Sequence, residues 1–559
     1  MTLRRSQPFP FSPVGVSDAL DSSNVMKGAM TALQNLVPVP GTRNLWECRP
    51  ASSLLVDFAL SGGPFSSGFS TGFQLGFQNP TFVSCLKVVG NIAYGLIGSD
   101  AFPGHDEPWA FNLVTQTLVT VTGATSVNTP VSPSDSGDWT PPTLDVIGTK
   151  LVVTHPGFNG TGGNYFGWFD ISNPAAPTWS AGNVSGAITF TTAPTAVKQF
   201  GGRAYYIVNP PTGQPGLYAS DALDATVITN SGQVLTFGDN QQLTALGGLP
   251  LDNQLGGIIQ SLIVFKGAAN VYQVTGDFAL SGGWVINSLN AATGTLAPWS
   301  VCPTPKGLAF ISPEGLRIID LNAHVSDPVG EAGNGITTPF VYSSTPSRIA
   351  CAANANVIRI SVQNDYATGS PQQEYWYHIS RQCWSGPHSF PASCIQPYNN
   401  TFVMVAQGVD AKLFQSDVAQ SSTSTFVENG TQMTLSWQTA MLPDTQQMCE
   451  SNVLEATINM ALAPSVNIGV SAIDQNGSIL DSVTISPTGT ATQWGNFQWG
   501  QAQWLGAANA LYPRQLEFTI PIVFRRVAFT ATGDCASGIK LGDAFFRYEM
   551  LGYLQQPAA

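Results

Sequence analysis

The sequence predicts an all-β protein, with a β-propeller of about seven blades (six or eight are the alternatives) followed by an antiparallel β-sandwich. Three observations predict this class. Short β-rich runs meeting at small turns recur through residues 81–428, and the 56 glycines and 39 prolines are spread over the whole chain. After residue 428 the runs alternate cleanly. We therefore divide the chain into an N-terminal arm (1–80), a propeller (81–428) and a sandwich platform (429–559).

The N-terminal arm contains the one segment with helical spacing. Within residues 21–36 the apolar side chains fall four, three and three positions apart, and Pro38 follows directly (Met26, Met30, Leu33 and Leu36). This spacing predicts a short helix that ends before Pro38.

A Gly/Ser-rich tract at residues 61–80 carries phenylalanines at every fourth position, beginning with Phe65. Its glycines disfavour a helix, so we interpret it as a long loop. The rings either tuck into their own domain or dock on a neighbouring subunit, since water disfavours exposing them. Phe69, Phe73 and Phe77 are therefore candidate interface residues.

The propeller prediction is based on repeated pairs of β-rich runs around turns that favour glycine. Seven such pairs begin 43 to 65 residues apart: 85–98, 143–155, 196–209, 261–276, 307–320, 356–362 with 374–384, and 399–417. Repeats of roughly 40 to 50 residues with four strands each are typical of propeller blades.

The sequence of the C-terminal region predicts a module that differs from the propeller. Residues 452–462 alternate, which places Leu454, Ala456 and Ile458 on one face together with Met460 and Leu462. A second alternating pair is joined by Asn476-Gly477, a strong hairpin signal. Several antiparallel strands with one buried face each predict a sandwich.

Three tryptophans recur at five-residue intervals in this region: Trp494, Trp499 and Trp504. This period suits neither a helix nor a flat strand, so it predicts a looping segment. The rings either pack on the sandwich, anchor an interface or bind sugar. We take all three as candidate interface residues.

Charged residues make up only 10% of the chain, where about 25% is usual, and the net charge is −13. Large subunit interfaces or a Ser/Thr/Asn-rich surface would both explain the low charge. An acidic chain with few basic runs is unsuited to tight binding of duplex DNA, although DNA can pass along an acidic wall.

The eight cysteines are scattered without a CxxC pair, which predicts free, mostly buried thiols in a protein assembled in a reducing cytoplasm. The N-terminus lacks the apolar core of a signal peptide, and no apolar run reaches the length of a membrane span.

Little in the sequence points to catalysis. There is no G-x-S-x-G elbow, and the segment at 134–139 only approximates the Asp-box of sialidase propellers, so we interpret Asp135 and Asp138 as turn residues. Two histidines and two cysteines at intervals of five, five and six residues lack the close pairs of a zinc site (His378, Cys383, His388 and Cys394). We predict no catalytic, cofactor or metal site and no enzyme activity.

The opening stretch, with 33–38 (Leu-Gln-Asn-Leu-Val-Pro), Gly41, Arg43 and Arg49, and the segment 306–330 resemble the tail nozzle or hub proteins of short-tailed bacteriophages. The resemblance implies a virion tail protein, made in the host cytoplasm, that forms a homo-oligomeric ring of six copies. Such a ring sits below the portal and its adaptor, extends and closes the DNA channel, and docks fibres or spikes. The alternative is a tail-tip propeller that binds or cleaves glycans.

Overall fold

The structure is a computed structural model of the 559-residue chain. It describes residues 6–18, 28–42, 44–58, 82–98, 106–123, 141–158, 160–252, 258–276, 282–289, 292–329, 335–341, 343, 345–362, 373–406, 411–416, 425–442, 449–463, 466–486, 512–518 and 522–553. Within these ranges the fold is all-β as predicted. The helical elements are one four-residue α-helix, α1 (Thr338–Val341), and three 3-10 turns, at Thr161–Gly163, Pro298–Ser300 and Pro346–Arg348.

The described residues of the N-terminal region supply six short strands, all of which pair with other strands of the same chain. They are β1 (Ser6–Phe11), β2 (Gly15–Val16), β3 (Ala29–Gln34), β4 (Leu36–Pro38), β5 (Trp46–Cys48) and β6 (Ser53–Asp57).

The propeller is built from strands β7 to β34. They are β7 (Phe82–Val89), β8 (Ile92–Gly98), β9 (Glu107–Asn112), β10 (Thr117–Val119), β11 (Thr143–Ile147), β12 (Lys150–Thr154), β13 (Phe166–Asp170), β14 (Thr178–Gly182), β15 (Ser185–Gly186), β16 (Ala196–Phe200), β17 (Arg203–Val208), β18 (Gly216–Ala219), β19 (Val227–Ile228), β20 (Val234–Thr236), β21 (Leu243–Asp252), β22 (Ile258–Lys266), β23 (Asn270–Gly276), β24 (Trp284–Ser288), β25 (Cys302–Thr304), β26 (Gly307–Ser312), β27 (Gly315–Ile319), β28 (Ala350–Ala353), β29 (Val357–Val362), β30 (Gln373–His378), β31 (Cys383–His388), β32 (Ala392–Tyr398), β33 (Thr401–Ala406) and β34 (Lys412–Gln415).

Apart from β15 and β19, which form a parallel pair, these strands form successive antiparallel sheets: β7–β10, β11–β14, β16–β17–β18–β20, β21–β24, β25–β27, β28–β31 and β32–β34. The first strands contact one another in chain order, and β32 returns to contact β7, so the ring is closed. The N-terminal strand β6 completes the last sheet by pairing with β34, with Val56 opposite Leu413. The propeller is thus closed within one chain by a strand from its N-terminal region.

The predicted hairpins are present. In the first three sheets they join the first and second strands, as in β7–β8. In the next three sheets they join the second and third strands, as in β22–β23, and the pair at 399–417 is likewise β33–β34. This change of strand, besides variable loop lengths, explains why the intervals between the predicted pairs are irregular.

The predicted N-terminal helix is wrong for residues 28–36, which form β3, a turn and the start of β4. A β-bulge inserts one residue between Met30 and Ala32, and Asn35 takes a left-handed conformation with φ of 55°. Each feature shifts the chain by one position, so Met30, Leu33 and Leu36 are all fully buried although they lie three apart. The spacing imitates a helix because an irregular strand happens to share its period.

The described part of the C-terminal region contains ten strands. They are β35 (Val427–Glu428), β36 (Thr431–Gln432), β37 (Thr434–Thr439), β38 (Cys449–Ala461), β39 (Ile468–Asp474), β40 (Ile479–Ile485), β41 (Tyr512–Gln515), β42 (Val523–Phe524), β43 (Val527–Asp534) and β44 (Lys540–Tyr553). The predicted hairpin at Asn476-Gly477 joins β39 to β40.

Two sheets of this region share one hydrophobic core. One has the order β4–β5–β44–β38–β41, with β1 on β44 and β42 on β38, and the other contains β3, β37, β43, β39 and β40. Phe529 of β43 stacks on Phe546 of β44 with ring centroids 4.1 Å apart. The predicted inward face of β38 holds except at Leu454, which is 44% exposed because a bulge falls between Val453 and Glu455.

The propeller and the C-terminal sheets are continuous through β3. This strand pairs with β31 of the propeller at Leu33–Gly386 and with β37 along its other edge, which produces one ten-stranded sheet. The N-terminal region is therefore an internal connector of the fold in its described part.

Among the described residues, no helix has the length and apolar character needed to cross a bilayer.

Candidate functional site

A cavity of about 240 Å³ lies on the axis of the propeller. Residues from the first strand of every propeller sheet line it, because these strands are the innermost of each sheet. Axial cavities of this kind are a common location for ligand sites, which makes this one the candidate functional site of the chain.

Three charged side chains meet at one wall of this cavity. Asp145 of β11 lies between Lys87 of β7 and Lys198 of β16. The Nζ of Lys87 donates to Oδ1 over 3.0 Å and the Nζ of Lys198 donates to Oδ2 over 2.7 Å. The backbone N–H groups of Val146 and Gln199 donate to the same carboxylate over 3.1 and 2.9 Å. The group links three successive propeller sheets.

The local sequence explains why these residues meet. Lys87, Asp145 and Lys198 each stand three positions before the glycine of a tight turn, namely Gly90, Gly148 and Gly201. Neighbouring first strands run side by side around the axis, so equivalent positions of successive hairpins come together. The order of signs along the chain, positive, negative, positive, lets a single carboxylate serve both lysines.

The electrostatics limit what this group does chemically. Burial opposes ionisation of Asp145, but Lys87 and Lys198 outweigh it and lower the pKa of the carboxyl group well below its ordinary value. A carboxylate that accepts four hydrogen bonds and has a low pKa is a poor proton acceptor near neutral pH. We therefore interpret the group as a bridge between strands that faces the cavity, with no role in proton transfer.

Trp299 fills part of the same cavity. It sits on the 3-10 turn Pro298–Ser300 and packs against three separate hydrophobic clusters, those that include Cys85, Leu86 and Ala350. Its Nε1–H donates to the carbonyl oxygen of Pro142 over 2.9 Å. The indole thus spans the axis between sheets that are not neighbours in the ring.

A second polar group lies where the propeller meets the C-terminal region. Arg49 forms a two-pronged ion pair with Glu428, at 3.0 and 2.5 Å, and its Nε donates to Asn35 Oδ1 over 3.0 Å. Both charged side chains are buried. Burial opposes ionisation of Glu428, but Arg49 outweighs it and lowers the pKa of that carboxyl group.

The propeller contributes its own buried ion pair next to this one. Arg359 donates to Glu374 over 2.5 Å, and the indole N–H of Trp376 donates to the same carboxylate oxygen over 2.6 Å. The guanidinium carbons of Arg359 and Arg49 lie 4.6 and 5.9 Å from the centroid of the Trp376 ring. Cation–π contact with one ring therefore connects the two ion pairs.

A buried chain of hydrogen bonds runs through Ser385. The backbone N–H of Asn35 donates to Nδ1 of His388, so the proton of that neutral ring is on Nε2, which donates to Ser385 Oγ over 3.1 Å. The Ser385 hydroxyl also forms a hydrogen bond with His378 Nε2 over 2.9 Å. Burial lowers the pKa of His378 to about 3 and that of His388 well below its usual range, so both rings are neutral near pH 7.

A serine hydroxyl directed at a neutral histidine is the arrangement of a nucleophile and its base. Ser385 has no exposed surface, however, and His378 and His388 are also buried. A substrate therefore has no access to this hydroxyl in the described structure, and we interpret the chain as part of the core.

The residues weighed as a zinc site do not converge. His378 and His388 flank Ser385, Cys383 packs in the large core shared by the C-terminal sheets, and the Cys394 thiol lies 3.9 Å from the carbonyl oxygen of Ser84. No group of three or more metal-binding side chains is present in the described part of the chain.

The candidate interface residues lie outside the described residues: Phe69, Phe73, Phe77, Trp494, Trp499 and Trp504. The turn residues Asp135 and Asp138 do so as well. Their roles stay predictions.

The sequence did not lead us to Lys87, Asp145, Lys198 or Trp299, although it contains a signal for the three charged residues. The charged position three residues before the turn glycine recurs in three successive hairpins and interrupts otherwise apolar strands. Trp299 carries no such mark, because its contacts come from strands distant in sequence.

No protein-family model and no curated protein matches the chain. Among solved structures, a puromycin hydrolase aligns over 64% of this chain with 12% identity and a TM-score of 0.36, and the chain spans 58% of its length. The β-propeller domain of the Trilobed protease from Pyrococcus furiosus, described as having an open velcro topology, aligns over 61% of this chain and 97% of that domain, with 8% identity and a TM-score of 0.35.

The prediction that the chain is not an enzyme finds no support among these neighbours, which come from a hydrolase and a protease. At these TM-scores the likeness assigns no reaction and no catalytic residue to the chain.

Proposed function

We propose that this protein is a structural component of a bacteriophage tail. Its role would be that of a nozzle or hub subunit, which extends and closes the DNA channel and provides a platform for fibres or spikes. The resemblance of residues 33–49 and 306–330 to such proteins is one support for the proposal.

The observation that carries the proposal is the rigid connection between the propeller and the C-terminal sheets. Strand β3 belongs to both, and the ion pairs Arg49–Glu428 and Arg359–Glu374 meet on the Trp376 ring at the junction. A continuous sheet and a buried polar junction resist relative motion of the two parts. This property suits a load-bearing subunit of an assembly.

We propose the finer architecture as well. The propeller would have seven blades, which is supported by the closed order of its first strands, with the sheet β25–β27 as a blade of three strands. The C-terminal sheets would form a β-sandwich, which is supported by their common core. A cryo-electron microscopy map that resolves strands tests both statements.

The proposed assembly is a homo-oligomer of six copies that joins the adaptor on the portal side and resides in the virion tail. DNA would pass between subunits, because Trp299 fills part of the axial cavity of each propeller and the Lys87–Asp145–Lys198 bridge lies at its wall. Six copies of a chain with net charge −13 would surround the DNA with an acidic wall, from which a polyanion slides freely.

The test is the mass of the purified full-length chain by light scattering, alone and with the candidate adaptor, followed by negative-stain imaging. Rings of about six copies, with or without the adaptor, support the proposal. A chain that remains monomeric with its adaptor overturns it. Strong, salt-sensitive binding of duplex DNA to the ring would contradict the acidic channel, and turnover of host glycans would favour the tail-tip alternative.

A further inference from the structure

Two cysteines from neighbouring propeller sheets face each other in the axial cavity. Cys302 is the first residue of β25 and Cys351 lies in β28, 49 positions further along the chain. Their Sγ atoms are 3.3 Å apart, and both residues line the cavity. A disulfide has an S–S distance of about 2.0 Å, so the two sulfur atoms need to approach by little more than 1 Å to bond.

We propose that Cys302 and Cys351 form an oxidisable dithiol, which closes to a disulfide that cross-links the sheets β25–β27 and β28–β31. The oxidant is a small peroxide such as hydrogen peroxide. One thiol is first oxidised to a sulfenic acid as the O–O bond breaks and one water leaves. The second thiol then attacks that sulfur, the S–S bond forms and a second water leaves.

The position of the pair explains what the cross-link would do. Sheet β25–β27 has three strands and its first strand, β25, has only three residues, so it makes few backbone hydrogen bonds within the ring. Cys302 also lies two residues after the turn that carries Trp299. A disulfide to Cys351 would hold this short strand, and with it the Trp299 turn, against the neighbouring sheet.

The surroundings of Cys302 and Cys351 determine the rate and the selectivity of their oxidation. Burial raises the pKa of Cys351 well above its ordinary value, so its thiolate is scarce near neutral pH and oxidation is slow there and faster at higher pH. A second close pair, Cys48 and Cys535, is also buried but is not among the residues that line the cavity. A small neutral oxidant that enters the cavity therefore meets the Cys302–Cys351 pair and not the Cys48–Cys535 pair.

The experiment treats the purified full-length chain with hydrogen peroxide over a range of pH, blocks remaining thiols with N-ethylmaleimide and digests with trypsin without reduction. Cleavage after Lys266, Lys306, Arg348 and Arg359 yields peptides 267–306 and 349–359, which contain one cysteine each. We expect a linked product of these two peptides, lighter than their sum by two hydrogen atoms, that forms faster at higher pH and disappears on reduction.

Two variants complete the test. Cys302→Ser should abolish the linked product and leave a modified or free Cys351, whereas Cys48→Ser should leave the product unchanged. Oxidation should also raise the unfolding temperature of the native sequence but not of Cys302→Ser. The proposal is overturned if both peptides stay separate while other thiols are consumed, or if the first disulfide formed uses Cys394 or the Cys48–Cys535 pair.

Discussion

The indole N–H of Trp299 donates to the carbonyl oxygen of Pro142 over 2.9 Å and so ties the turn before β25 to the start of β11, across the propeller axis. These two elements are separated by two other sheets on one side of the ring and by three on the other. One side chain therefore holds opposite walls of the cavity together.

Replacing Trp299 should weaken the propeller. Trp299→Ala removes the ring from the cavity, and we expect the free energy of unfolding to fall by about 3 kcal/mol. Trp299→Phe keeps most of the packing and loses only the hydrogen bond, so its loss should be about 1 kcal/mol. Urea denaturation followed by circular dichroism measures both, and equal losses would show that the ring contributes nothing through packing.

Asp145, which lies between Lys87 and Lys198, should contribute more to the stability of the fold than Lys198 does. Asp145→Asn leaves Lys87 and Lys198 without a counter-ion, and we expect a loss of about 2 kcal/mol in the free energy of unfolding. Lys198→Gln preserves the bond between Lys87 and Asp145, so its loss should be smaller. The same denaturation experiment compares them, and a larger loss for Lys198→Gln would argue against the central role of Asp145.

The ion pair at the junction should respond strongly to removal of one partner. Glu428→Gln removes the carboxylate that forms the two-pronged ion pair with the buried Arg49 guanidinium, which should cost about 3 to 5 kcal/mol. The double variant Arg49→Met with Glu428→Leu removes both charges and should be more stable than Glu428→Gln alone. If the double variant is instead the less stable of the two, the buried charge is not the source of the loss.

The Arg49–Glu428 ion pair also predicts that the stability of the fold depends on pH. The pKa of Glu428 is lower in the folded chain than its ordinary value of 4.5, so its contribution to stability is present above that value and is lost as the pH falls through the folded pKa. Asp145 acts in the same direction from its ordinary value of 3.8. The unfolding midpoint should therefore fall more steeply below about pH 4.5 in the native sequence than in the double variant.

Glu107 should behave in the opposite sense. Burial raises its pKa to about 7 from 4.5, so the folded chain holds a proton that the unfolded chain releases between these values. Its contribution to stability is full below pH 4.5 and is lost as the pH rises through about 7. We expect Glu107→Gln to be more stable than the native sequence at about pH 8 and similar to it at about pH 4.

Thermal unfolding across this pH range measures the difference. Glu517→Gln is a matched control, because it makes the same substitution at an exposed glutamate. A Glu107→Gln profile parallel to that of the native sequence would show that the pKa of Glu107 is the same in the folded and the unfolded chain.

The sequence by itself determined the local architecture of this protein. Alternating runs and turn glycines such as Gly90 and Gly148 predicted the hairpins, and Asn476-Gly477 predicted the hairpin of β39 and β40, because the strands of a hairpin and its turn lie next to each other in the chain. The prediction of free, buried cysteines also agrees with the seven described ones.

Only the tertiary structure decided how these pieces meet. Met30 and Leu33 have helical spacing but lie on a strand, because β37, about 400 residues away, provides backbone partners for β3. The joining of β6 to β34, the position of Trp299 on the axis, and the approach of Cys302 to Cys351 likewise depend on contacts between distant segments. Such contacts produce no periodic pattern in the sequence, because the spacing of residues within each segment reflects only the secondary structure of that segment.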